Sequence, residues 1–231
     1  MKIACIIPTY NFVEGVKRIS HWITNEYHFL AAEQRIIIVD DGSDHRYAKD
    51  FERLNKLENF TVIKSRGRQS LREAILTGYD EVKDWNPDLI NIIETDALPQ
   101  TATLQAMIRV YKEAKGNVGS VSPIYTWDGE NCYPTHKHWF SDSPTKENFS
   151  TGLVREPGEC GVPFLFSIWN PILFELMRDK NLPNLASLDS EFGKKVHRAG
   201  YRHLRITNYT IEHWMRGRQS NAIIISKFNK K

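Results

Sequence analysis

Residues 90–100, INIIETDALPQ, decide how this chain is read. Leu89, Ile90, Ile92 and Ile93 form a short apolar run of the kind that fills a strand buried on both faces. Glu94 and Asp96 follow with one residue between them, and Pro99 ends the pattern. Two carboxylates a few ångströms apart repel each other, and each loses hydration when enclosed. A solvated loop would satisfy them, and so would a shared cation.

Upstream, the same grammar repeats. Residues 3–7 are an apolar run stopped by Pro8-Thr9-Tyr10-Asn11, and residues 35–39 are a β-branched run that ends in Asp40-Asp41-Gly42-Ser43. Residues 60–63 and 118–124 supply further strands. Between them Val16, Ile19 and Ile23 fall at helical spacing, as do Ala74, Ile75, Gly78 and Val82, and then Leu104, Met107, Ile108 and Tyr111. A polar helix is expected to end near Leu57. Strands alternating with helices predict an α/β domain with a mainly parallel central sheet flanked by helices. Ligands of such sheets sit beyond the carboxyl ends of the strands. Three polar clusters, at 8–11, 40–43 and 94–96, fall on that edge.

The second half is less regular. Residues 127–159 read as loop, 164–168 and 202–206 as short strands, and 171–178 and 189–199 as helices. No Gly, Ser or Pro linker divides the chain, so one domain over 1–221 and a basic tail over 222–231 are expected. The pentapeptide RGRQS occurs at 66–70 and again at 216–220, but its surroundings do not match and no repeat fold is implied. The 231 residues carry a formal net charge of +3. That suits an anionic small molecule and does not demand nucleic acid. Three scattered cysteines predict reduced thiols. There is no leader-like N-terminus and no apolar stretch near the roughly 20 residues of a membrane span. A cytoplasmic protein is expected, with any membrane contact peripheral.

Each cluster has a plain structural reading and a chemical one. Asp40 to Asp44 can be a turn and a helix cap; equally, a carboxylate at Asp41 can accept from an imide N–H or ribose hydroxyls. Arg66 and Arg68 can be a solvated loop, or contacts to a base and a diphosphate next to a helix N-terminus. Glu94 and Asp96 supply the hard oxygens that Mg2+ or Mn2+ takes, commonly together with substrate phosphates. Asp189 can cap the helix that follows it. His213, beside Trp214, can be a surface residue or a late metal ligand. Residues 208–221 hold His213, Arg216, Gly217, Arg218 and Ser220 and little apolar content. They predict a mobile lid whose Arg216 or Arg218 pairs with phosphate oxygens once an anionic ligand and a metal bind.

Taken in order, P-T-Y-N, V-D-D-G-S-D, R-G-R-Q-S-L-R-E-A, E-T-D, L-D-S-E-F-G-K-K-V-H-R-A-G-Y-R and E-H-W resemble family 2 glycosyltransferases of the GT-A fold across residues 3–215. The 66–78 stretch looks most like the dolichyl-phosphate-sugar synthase branch. The resemblance implies a single GT-A domain. It also implies a metal-dependent, inverting transfer from a nucleotide-diphosphate sugar, with UDP favoured and a hexose as the moving group. Pro8, Tyr10 and Asp41 would line the base pocket, with Arg66 or Arg68 on the base or diphosphate and Thr95 on the donor side of the acidic turn. Asp96 would bind the metal directly, Glu94 through water because it replaces the usual first Asp, and His213 as a third ligand. Asp189 would be the catalytic base. Leu188 stands where an acidic residue is usual before the base, and the membrane helices of many lipid-linked members do not occur here. The acceptor stays open among a glycan, a lipid-linked sugar, a protein and a modified nucleic acid. A nucleotidyltransferase would want a Gly-rich basic first loop, which 8–12 is not. A non-catalytic nucleotide-sugar module would keep Asp41 and dispense with Asp189. A nucleic-acid module could use Arg216, Arg218, Lys227, Lys230 and Lys231.

Overall fold

β1 (Lys2–Thr9) shows how the sheet is held. Its side chains alternate between two cores, Ile3, Cys5 and Ile7 on one face and Ala4 and Ile6 on the other, and all five are fully buried. A strand covered on both faces needs a continuous apolar run, which is what the sequence supplies. The computed structural model describes residues 1–28, 30, 32–127, 130–131, 146–150, 152–156, 164–184 and 188–213.

The further elements are α1 (Val13–His28), β2 (Glu33–Asp40), α2 (Ala48–Leu54), β3 (Phe60–Lys64), α3 (Leu71–Val82), β4 (Leu89–Ile93), β5 (Ala97–Pro99), α4 (Thr103–Glu113) and β6 (Val118–Trp127). After them come β7 (Glu130–Asn131), β8 (Lys146–Phe149), β9 (Gly152–Arg155), β10 (Phe166–Trp169), α5 (Phe174–Met177), α6 (Leu188–Arg198) and β11 (Arg202–His213). The strand order is β3-β2-β1-β4-β10-β6-β11-β9-β8. From β3 to β11 every strand runs the same way except β10, which is antiparallel to both β4 and β6. The mainly parallel α/β sheet expected from the sequence is therefore present. α1, α2 and α4 cover one face through Val16, Ile19, Phe51 and Met107, and α3, α5 and α6 cover the other through Ile75, Phe174 and Phe192. Each such side chain, fully buried, contributes about 1.5–3 kcal/mol. Asn91, the polar residue inside the opening strand, is fully buried and its Nδ2 donates to the Ser167 carbonyl of β10 at 3.0 Å.

Three expectations need correction. Pro99 does not end the pattern at the acidic turn: β5 follows it and pairs with β11. Proline lacks an N–H but is tolerated on a short edge strand. Residues 202–206 open a strand that runs on to His213, so 208–213 belong to the sheet and not to a lid. The register against β6 shifts between Arg205 and Thr210, and that irregularity hides the strand's period. The reach read as loop also holds the short strands β8 and β9. The remainder of the expected lid, with Arg216 and Arg218, the 222–231 tail with Lys227, Lys230 and Lys231, and Cys132 and Cys160 lie outside the described residues. Cys5 is a buried free thiol. Among the described residues no helix is long and apolar enough to cross a membrane.

Candidate active site

The strand-end clusters meet at the carboxyl edge. β1 and β2 are paired in register with Thr9 opposite Asp40, and the pairing continues past the sheet, where the Asp41 N–H donates to the Thr9 carbonyl at 2.8 Å. Asn11 takes a left-handed backbone at φ 54°, which asparagine tolerates better than most residues. Its N–H donates to Ser43 Oγ at 2.8 Å, and its Oδ1 accepts from the Asp44 N–H at 2.8 Å. Asp40 Oδ1 accepts from the Ser43 N–H at 2.8 Å. The first two motifs are thereby one bonded unit.

The 66–70 loop is fastened to that unit at two points. Asp41 Oδ1 accepts from the Gln69 N–H at 2.7 Å. Gly42, at φ 82°, lies so close to the loop that a Cβ there would stand 2.7 Å from the Gly67 carbonyl carbon and 2.8 Å from the Arg68 nitrogen. Burial pushes the Asp41 carboxyl above its ordinary value, against the opposing pull of the Gln69 N–H and the Arg68 guanidinium. Arg68 lies over the Tyr10 ring, 4.5 Å from its centroid. Arg66 is exposed. Ser70 caps α3 by accepting from the Glu73 N–H at 3.1 Å.

These groups surround a cavity of about 460 Å³. Pro8, Tyr10, Asp41 and Arg68 line it, and so do Glu94, Thr95 and Asp96 from the turn after β4. Arg66 is not among the described residues that line it. The acidic turn is pressed onto α1, where Arg18 Nη2 donates to the Thr95 carbonyl at 3.1 Å and Gly15 leaves that oxygen room no Cβ would allow. Past the turn, β5 brings Ala97 opposite His213 in β11, so the main chain of His213 passes one residue from Asp96. Among the described residues no group of three or more His, Cys, Asp or Glu side chains converges as a closed metal cage. The oxygen-rich turn nevertheless suits a divalent cation that completes its shell with substrate phosphates and water.

Asp189 does not line the cavity among the described residues. It stands one residue inside α6, in the first turn, with Oδ1 accepting from the Ser190 N–H at 2.9 Å. Burial raises its carboxyl to about 6, the Ser190 N–H opposing. Asn184, five residues earlier on the segment that leads to α6, does line the cavity. Asn184 was not legible in the sequence, because nothing about its Asn-Leu-Pro-Asn surroundings separates it from a surface turn. Thr9, by contrast, sits inside the P-T-Y-N motif, which marks it in the sequence. Its Oγ1 is buried without a hydrogen-bond partner among the described residues, in a side chain that lines the cavity.

No curated protein matches the chain in sequence. Solved structures do match it in shape. Mannosyltransferase PcManGT from Pyrobaculum calidifontis, in complex with GDP-Man and Mn2+, aligns with a TM-score of 0.70 at 17% identity over 94% of this chain and 57% of that one. GalNAc-T7 with UDP, GalNAc and Mn2+ gives 0.64 at 14% identity over 92% of this chain and 44% of that one. S. aureus TarS 1–349 with UDP-GlcNAc gives 0.63 at 14% identity over 95% and 61%. This chain thus spans about half the length of those it resembles, and at such identities the likeness is one of fold. The sequence model of glycosyl transferase family 2 matches residues 4–168, more than half of the chain. With its strand-end cavity and its sheet order, the chain belongs to glycosyl transferase family 2.

Proposed function

We propose that the protein is a metal-dependent, inverting hexosyltransferase that uses a UDP-sugar. The observation that carries this reading is the single cavity into which Tyr10, Asp41 and Arg68 come from one side and Glu94 and Asp96 from the other. The base would lie at the first end and the diphosphate at the second, where a cation would offset the charge of the two carboxylates. Asp41 commits Oδ1 to the Gln69 N–H, and no second bond to its carboxylate forms among the described residues. One remaining oxygen suits the single N–H of a uracil imide, whereas guanine offers two donors side by side. Thr9 Oγ1, buried and without a hydrogen-bond partner among the described residues, is a further group that a bound nucleotide would satisfy.

Glu94 and Asp96 would hold Mn2+ or Mg2+, which when bound offsets the charge of the departing diphosphate. His213 would join them. In the transfer step the acceptor hydroxyl gives its proton to Asp189. Its oxygen then bonds to the anomeric carbon from the face opposite the diphosphate, and the bond from that carbon to the phosphate oxygen breaks with its electron pair on the diphosphate. A carboxyl raised to about 6 is a stronger base than an ordinary aspartate and is still ionised at neutral pH. Arg68, and Arg216 or Arg218 from the C-terminal segment, would pair with the phosphates. Calorimetric titration with UDP and with GDP, each with and without Mn2+, tests the reading. UDP binding strengthened by Mn2+ is expected, and preference for GDP would overturn the base assignment.

A further inference from the structure

We propose that Asn184 contacts the hydroxyls of the donor's sugar and that Arg72 is the residue that positions it. This rests on the donor reading above. With the base at Asp41 and the diphosphate at Asp96, the wall left for the sugar among the described residues is the start of α3 together with Asn184. Asn184 is exposed and is the cavity residue that comes from the segment between α5 and α6. A carboxamide both donates and accepts, as each sugar hydroxyl does, so one asparagine can span two neighbouring hydroxyls.

The segment that carries Asn184 has no helix or strand of its own from 179 to 184, and Arg72 supplies what holds it in place. Its Nη1 donates to the Leu182 carbonyl at 2.8 Å and to the Asp179 carbonyl at 3.2 Å. Its backbone N–H donates to the Asn184 carbonyl at 3.3 Å. Glu73 takes the other side of the guanidinium, with Oε1 3.0 Å from Nη2. At 12% exposure the Arg72 side chain is largely out of water, so its donors are worth more than surface ones and its loss would leave carbonyls unpaired. Lys195 pairs with the Asp179 carboxylate and ties the same segment to α6. Arg72 follows directly on Gln69, Ser70 and Leu71, which hold Asp41 and open α3. One short piece of backbone therefore fixes the base end and the sugar wall together. A lysine at 72 would present a single point charge and could not keep a planar fork on two carbonyls and a carboxylate.

The test is calorimetry on the full chain with Mn2+, comparing UDP with UDP-glucose, UDP-galactose and UDP-N-acetylglucosamine. Asn184→Ala should leave the affinity for UDP within about twofold and weaken the preferred UDP-sugar about five- to tenfold, the size of one neutral hydrogen bond. Arg72→Lys should shift the same ratio of UDP-sugar to UDP affinity, which a merely structural role would not move. Combined with Asn184→Ala it should add little, because the arginine acts through the asparagine. An unchanged ratio in Asn184→Ala overturns the sugar contact, and additive losses overturn the positioning role. If the wild-type chain does not bind UDP, the donor reading itself has failed and this inference falls with it.

Discussion

Asp189 carries a sharp consequence for a single side chain. Its carboxyl is raised to about 6 by burial. If it is the base proposed above, it works only when ionised, so kcat/KM should rise with pH through about 6 and level off above it. His203 cannot produce that limb. It is buried, held by Ser120 Oγ at 2.6 Å and by the Gly193 carbonyl at 3.0 Å, and lowered to about 4 by desolvation. Asp189→Asn should lower turnover by about 10²–10⁴-fold, abolish the limb and leave UDP affinity nearly unchanged. The same shift has a stability sign. The folded carboxyl holds its proton more tightly than the unfolded one, whose ordinary value is 3.8, so between that value and about 6 this group's contribution falls as pH rises. Asp189→Asn should therefore flatten the descent of melting temperature over that window, and a variant with normal turnover and an unchanged pH profile would reduce Asp189 to a first-turn helix residue.

At the scale of elements the site is a set of loops docked on one another, and glycines mark where they touch. Gly42→Ala would force a left-handed φ on a residue with a Cβ and push that carbon into the backbone of Gly67 and Arg68. The 66–70 loop must then lift, taking with it the Gln69 N–H that holds Asp41. The expected result is a loss of UDP affinity of at least about tenfold with a stability cost of about 1–3 kcal/mol, read by calorimetry and by melting; full affinity would mean that the loop does not hold the nucleotide. On the acidic turn, Asp96→Ala should remove the Mn2+ dependence of UDP binding, while Glu94→Ala, whose longer side chain is expected to act through water, should lower it less. Manganese titration of the two variants with UDP present separates them, and equal dependence in Asp96→Ala and wild type would leave the turn without a metal. The sequence made β1, β2 and β4 legible because continuous apolar runs stop at polar clusters. It concealed β5, since proline argues against a strand, and the far half of β11, where Thr207, Asn208 and the register shift break the alternation.

Across the whole molecule, the sheet runs without interruption from β3 to β8, and both cores pack on its strands. The alternation of strand and helix was enough to place three polar clusters on one edge. It could not place Asn184 or the start of α6 relative to that edge. Those positions depend on Arg72 reaching across to Asp179 and Leu182, over a hundred residues away in sequence, and a local pattern cannot encode such contacts. A donor held as proposed would touch the ends of neighbouring strands of one sheet, so its binding should stabilise them together. A ligand present at a hundred times its Kd adds about 2.7 kcal/mol to the native state. For a chain of this size that raises the melting temperature by about 5–10 °C. UDP with Mn2+ should therefore shift a single transition by that amount. Asp96→Ala should keep the smaller shift given by UDP alone and lose the manganese increment. Asp41→Ala should lose both, because the proposed contact to the base and the loop's fastening to Asp41 would go together. If manganese adds the same increment in Asp96→Ala as in the wild type, the cation is held elsewhere, and the two carboxylates after β4 are a solvated turn.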